Sequence, residues 1–72
     1  MAGLALSSLR VGHRYWLINF GDRYEFEIMD TIYRDDFSLK DLNTLEFYKL
    51  SELVKYGKGK DFEIRELRIR SY

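Results

Sequence analysis

The chain reads as a mainly β domain: five short antiparallel strands, with one brief helical turn, at about residues 51–56, before the last of them. Three observations predict this. Aromatic and β-branched residues gather in short runs, and the clearest, Tyr24-Glu-Phe-Glu-Ile28, alternates apolar and charged with the period of two that belongs to a half-buried strand. Turn-forming residues separate the runs, Gly21-Asp22 most plainly. Proline is absent, so the sharp turns fall to glycine, and Gly3, Gly12, Gly21, Gly57 and Gly59 all lie between apolar runs.

Arg14-Tyr-Trp-Leu-Ile-Asn-Phe20 is the first strand, and Gly21-Asp22 turns it into the second. In that second arm Tyr24, Phe26 and Ile28 share one face, and Glu25 and Glu27 the other. The strand continues through Ile32, although Asp30 falls on the inward phase, so a bulge or the edge of the core is expected there. Asp35-Asp36 breaks the pattern. Phe37-Ser-Leu39 and Leu45-Glu-Phe47 then flank Lys40–Thr44, whose Asp41 and Asn43 favour a turn, and a second hairpin fits. Ser51 would cap the turn that follows, which ends at Gly57.

One helix over about 44–56 is the alternative for this region. Phe47, Leu50 and Val54 fall at i, i+3 and i+7, and Asn43 is placed to cap with Glu46 three residues on. The last run, Asp61–Ile69, alternates through Phe62 and Ile64 and then changes phase at Leu67 and Ile69. A one-residue bulge near Arg65-Glu66 would return all four to one face.

Apolar residues extend from Leu4 to Ile69 without a linker or repeat, so residues 1–72 form one domain, with 10–69 as its body and 1–9 as a short helix or arm. A core this small rarely yields more than about 3–5 kcal/mol without a staple. Six Tyr, five Phe and one Trp make it dense, but with no Cys there is neither a disulfide nor a thiolate metal site. Packing against a second copy is the staple left over. The lack of Cys, and an opening segment with no basic start and too few apolar residues to span a bilayer, point to the cytoplasm and away from a membrane.

Twelve basic and twelve acidic residues cancel, which argues against a field that gathers nucleic acid or anionic lipid. The charge is unevenly spread: residues 21–48 hold eight acids against three bases, and 49–72 seven bases against four acids.

The strand order and the helical turn before the last strand resemble a small SH3-like or Tudor-like barrel over about residues 10–69. Leu9-x-x-Gly12-x-x-Tyr15, Phe26-x-Ile28 and the loop Tyr56-Gly-Lys-Gly-Lys-Asp61 carry the resemblance. It implies a closed five-stranded antiparallel barrel. Without proline or a dense acidic peptide-binding loop, it does not imply recognition of proline-rich peptides, and fold analogy by itself licenses no function.

No residue set compels catalysis, and no cofactor or metal is expected. His13 is the only histidine, so neither a two-histidine metal set nor a Cys–His pair can be built. Glu25 and Glu27 project from one face about 7 Å apart, a spacing that acid–base pairs in glycoside chemistry use. Alternating Glu on a wet strand face is the plainer account, with Arg65 as a cross-strand partner. Asp35, Asp36 and Asp41 lack the spacing of a calcium loop, and Lys58-Gly-Lys60 lacks the pattern of a phosphate loop.

The first strand is more informative, because both its faces are apolar. Tyr15 and Leu17 lie on one, and Trp16, Ile18 and Phe20 on the other. That second face needs a cover: the Leu4–Leu9 segment, a second subunit, or a ligand. The expected function is therefore a small non-catalytic protein-interaction module that self-associates through Trp16, Ile18 and Phe20. The alternative is a nucleic-acid binder using Lys55, Lys58, Lys60, Arg65, Arg68 and Arg70, with Tyr56 or Trp16 for stacking.

Overall fold

The computed structural model describes residues 8–32 and 36–67. Its elements are β1 (Arg14–Asn19), β2 (Asp22–Ile32), β3 (Asp36–Asp41), β4 (Phe47–Lys49), α1 (Leu50–Leu53) and β5 (Glu63–Glu66). All five strands are antiparallel and lie in one sheet of order β4-β3-β2-β1-β5. Among the described residues no ladder joins β4 to β5, so the closure expected of a barrel is not seen.

Alternation becomes burial along the central strands. Tyr15, Leu17 and Asn19 point inward from β1, Phe26 and Ile28 from β2, Phe37 and Leu39 from β3, and Ile64 from β5. Leu9 and Leu50 close the same cluster. Leu9 therefore joins the core side of the sheet; the rest of the segment expected to cover the other side, Leu4–Ser7, lies outside the described residues.

Two residues form the tip of the β1–β2 hairpin. Asn19 pairs with Asp22, and between them Phe20 has φ 50° and Gly21 φ 81°. Two positive φ values mark a type I′ turn, whose twist matches that of the strands it joins. Further along β2 the register shifts: Ile28 faces Leu39, but Asp30 faces Ser38. Met29 is the extra residue of a bulge, which moves Asp30 off the inner face, where its carboxylate accepts the Thr31 N–H at 2.8 Å.

The bulge expected near Arg65-Glu66 is absent. Pairing from Ile18–Glu63 to Tyr15–Glu66 is unbroken, and the Leu67 N–H donates to the Arg14 carbonyl at 2.8 Å, continuing the ladder. Leu67 thus keeps the outward phase. On this edge strand Glu66, opposite buried Tyr15, takes the inner phase while staying exposed and bonds His13, so no correction of the alternation is needed. Ile69 lies outside the described residues.

A strand followed by a short helix, not one helix over 44–56, occupies the fourth segment, because Phe47, Tyr48 and Lys49 pair with Lys40, Leu39 and Ser38. The helical spacing of Phe47, Leu50 and Val54 is a coincidence: Leu50 is buried, whereas Phe47 is 64% exposed. The helix begins one residue earlier than expected and is not capped by Ser51. Instead Asp36 of β3 accepts both the Ser51 N–H at 3.0 Å and its hydroxyl at 2.8 Å, along with its neighbour Phe37's N–H at 2.9 Å.

Asp41 plays the matching part in the β3–β4 turn. Its carboxylate accepts the N–H groups of Asn43 and Thr44 at 2.7 and 2.9 Å and the Tyr48 hydroxyl at 2.8 Å. Burial and the Asp41 carboxylate together push the Tyr48 phenol well above its usual value. For both aspartates burial acts to raise the carboxyl pKa. The hydrogen bonds to Asp36 from Ser51 and Phe37, with the charge of Lys49, outweigh it, as do those to Asp41 from Thr44, Tyr48 and Asn43, so both carboxyls lie below the ordinary 3.8.

A folded-state pKa below the unfolded one means that the ionised carboxylates stabilise the fold. Their contribution is complete above the unfolded value and is lost as pH falls through the folded one. In acid titrations followed by circular dichroism, Asp36→Asn and Asp41→Asn variants are expected to lose less stability than the parent between about pH 5 and pH 2. Identical pH slopes for parent and variants would remove these two groups from the account.

Candidate functional site

Register decides what surrounds the outward face of β1. Trp16 lies between Glu25 of β2 and Arg65 of β5, and Ile18 between Arg23 and Glu63. The Arg23 guanidinium carbon stands 4.7 Å from the centroid of the Trp16 ring, a cation–π contact made on the diagonal across two strands. Ion pairs frame it: Arg23 to Glu25 at 3.0 Å, Arg14 to Glu27 at 3.2 Å, and Arg65 to Glu63. Glu25 and Glu27 thus each have an arginine partner, Arg23 and Arg14, and Arg65 takes Glu63 in place of the expected glutamate on β2.

This supplies a cover that the alternation alone did not suggest. Trp16 and Ile18 are half-buried among the stems of charged neighbours from the two flanking strands. Phe20 does not share their face. The strand ends at Asn19, and the left-handed backbone of Phe20 swings its ring over Gly59, where an added Cβ would come within 3.0 Å of Cδ1. The expected trio is therefore a pair on the sheet and a third residue at the hairpin tip.

Two polar side chains hold that tip against the loop before β5. Asn19 is only 2% exposed; its amide donates to the carbonyls of Leu53 and Gly57, both at 3.1 Å, and its oxygen accepts the Gly59 N–H at 2.7 Å. Asp61 spans the turn itself, its two carboxylate oxygens accepting the N–H groups of Phe20 at 2.9 Å and Gly21 at 2.7 Å. The sequence reading gave neither of them this role. Asn19 carried a signal, since it shares the inward parity of Tyr15 and Leu17; Asp61, at the end of a glycine-rich loop, carried none.

Between the hairpin tip and the end of α1 lies a cleft of about 360 Å³, lined by Phe20, Asp22, Tyr24, Glu52, Lys55 and Tyr56 among others. Phe20 is 58% and Tyr56 81% exposed. Burial, then the neighbouring Asp22, raise the Tyr24 phenol above its usual value.

Among the described residues the basic set divides between two surfaces. Lys55, Tyr56, Lys58 and Lys60 share the loop after α1, with Lys55 Nζ 5.2 Å from the Tyr56 ring centroid and Lys58 Nζ 5.0 Å from that of Phe62. Arg65 belongs to the outer sheet face instead, and Arg68 and Arg70 lie outside the described residues. Glu52 and Asp61 flank the same loop.

His13 sits just before β1 with Nδ1 2.9 Å from Glu66 Oε2, tying the start of one strand to the end of another beside a shallow hollow. Asp36 and Asp41 are committed to backbone and hydroxyl donors, and Asp35 lies outside the described residues. Among the described residues no three His, Cys, Asp or Glu side chains come together as metal ligands would, and no helix is long and apolar enough to cross a membrane. No family model matches this chain, and no curated protein or solved structure matches it either.

Proposed function

We propose that the chain is a non-catalytic protein-interaction module that docks through the outer face of its sheet, centred on Trp16, and that its first partner is a second copy of itself. One observation carries this: the Trp16 ring lies under the Arg23 guanidinium within a frame of ion pairs. An aromatic–arginine centre with a polar rim is the composition of docking hot spots. A face that alternates both signs of charge suits a two-fold contact, in which each residue meets its counterpart's neighbour. Strand order and the short helix before β5 support an SH3-like small-barrel reading of the architecture. The cysteine-free sequence supports work in the reducing cytoplasm.

Sedimentation equilibrium over a range of concentrations tests the proposal. The parent is expected to pass from monomer to dimer, and Trp16→Thr, which keeps a strand-forming residue, to stay monomeric with an unchanged circular dichroism spectrum. A parent that remains monomeric throughout overturns self-docking.

Nucleic acid is the second reading, favoured by the exposure of Tyr56 among Lys55, Lys58 and Lys60 and opposed by Glu52 and Asp61 beside them. It requires binding of single-stranded oligonucleotides that weakens with salt, by a log–log slope of about −0.7 for each phosphate contact.

A further inference from the structure

The geometry points to a second site: we infer that the cleft between the β1–β2 turn and the end of α1 receives a guanidinium group, presented by an arginine side chain of a partner protein. The argument starts from Phe20. The first central position of a type I′ turn calls for Asn, Asp or Gly, because φ is positive there. This chain instead places a phenylalanine at φ 50°, 58% exposed, with the Asp61 carboxylate holding both turn N–H groups. A bulky residue in the left-handed region is a departure from local preference, and such departures concentrate where a fold serves a ligand. Turning the chain needs no aromatic ring at this point.

The surroundings say what that ring meets. Tyr24 and Tyr56 join Phe20 in lining the cleft, and of its charged residues Asp22 and Glu52 outnumber Lys55, whose ammonium lies over the Tyr56 ring, so the lining carries a net negative charge. Ring faces in this chain take cations: Arg23 lies over Trp16, Lys55 over Tyr56 and Lys58 over Phe62. A guanidinium is the cation that can stack on an aromatic face and pair with a carboxylate at the same time. An anionic ligand would meet Asp22 and Glu52, and a purely apolar one would strip them of water without replacing it. About 360 Å³ is near the lower end of binding-pocket volumes, room for one side chain and its neighbours.

The experiment is a titration of the isotope-labelled chain, followed by amide NMR, with the peptide acetyl-Gly-Arg-Gly-amide and with its citrulline counterpart, which keeps the shape and removes the charge. Saturable shifts are expected at residues 19–24 and 52–57 with the arginine peptide, and binding about tenfold or more weaker with citrulline. Phe20→Asn is expected to stay folded, because it gives the turn the residue it prefers in exchange for the ring's contact over Gly59, and yet to lose arginine binding. Tyr56→Ala, at an exposed position, gives a second loss of binding without risk to the fold. Equal binding of the two peptides, shifts confined to the outer sheet face, no binding at all, or undiminished binding by both variants would each overturn the site. None of these outcomes depends on whether the Trp16 face self-associates.

Discussion

Replacing Asn19 by alanine is expected to remove most of the stability of this domain. The side chain is buried and makes three hydrogen bonds to backbone groups of α1 and the following loop. Alanine leaves the Leu53 and Gly57 carbonyls and the Gly59 N–H without those partners; the bonds are part-buried, and at a net value of about 1 kcal/mol each their loss together comes to about 3 kcal/mol. Against a total of roughly 3–5 kcal/mol for a core of this size, a loss of about 3 kcal/mol or more leaves little folded protein.

Asn19→Asp sharpens the test. It keeps an oxygen for the Gly59 N–H but turns an acceptor toward two carbonyls, so the carboxyl prefers to be protonated in the fold and the variant is expected to regain stability as pH falls. Urea unfolding of both variants measures this. An alanine variant weakened by less than about 1 kcal/mol would show that water replaces all three bonds.

The second large effect is expected at Phe26. Its side chain is fully buried at the middle of β2, opposite Tyr15, with ring centroids 6.3 Å apart and planes inclined by 37°. Phe26→Ala removes that contact and leaves a cavity; such truncations cost about 3–5 kcal/mol, as much as the whole domain is expected to hold. The variant should show unfolded far-ultraviolet dichroism at room temperature and the emission of a fully hydrated Trp16, the only tryptophan in the chain. Phe26→Leu, which keeps most of the volume, is expected to stay folded with a lower melting temperature. A folded alanine variant with a cooperative transition near the parent's would mean that the core can collapse around the vacancy.

Legibility followed the range of each interaction. The β1–β2 hairpin was readable because alternation and a glycine turn signal are properties of adjacent residues, although the turn is Phe20-Gly21 with Asp22 already in β2; of the two alternatives that the phase of Asp30 left open, a bulge or the edge of the core, the bulge is found, at Met29. The absent bulge in β5 misled because alternation takes every inward position to be apolar, whereas on this edge strand exposed Glu66 holds the one opposite Tyr15. The cap of α1 was hidden, since it comes from Asp36, 15 residues before Ser51 and on another strand. Trp16 and Ile18 were correctly set apart from Tyr15 and Leu17 by parity. Parity also placed Phe20 with them, because it treats a strand as continuing until something visible stops it, and here the turn claims Phe20 one residue before the glycine.

By itself the sequence determined a mainly β chain, the inward and outward sets of its first two strands as far as Ile18 and Ile28, the place of its first turn to within one residue, and the aromatic excess on β1. Only the tertiary structure decided which residues meet: Arg23 above Trp16, and Asn19 and Asp61 drawing a loop some 40 residues away onto the hairpin tip. Alternation and turn chemistry are settled among neighbours along the chain. Strand register and loop docking are settled by how the core closes, which no short stretch of sequence contains.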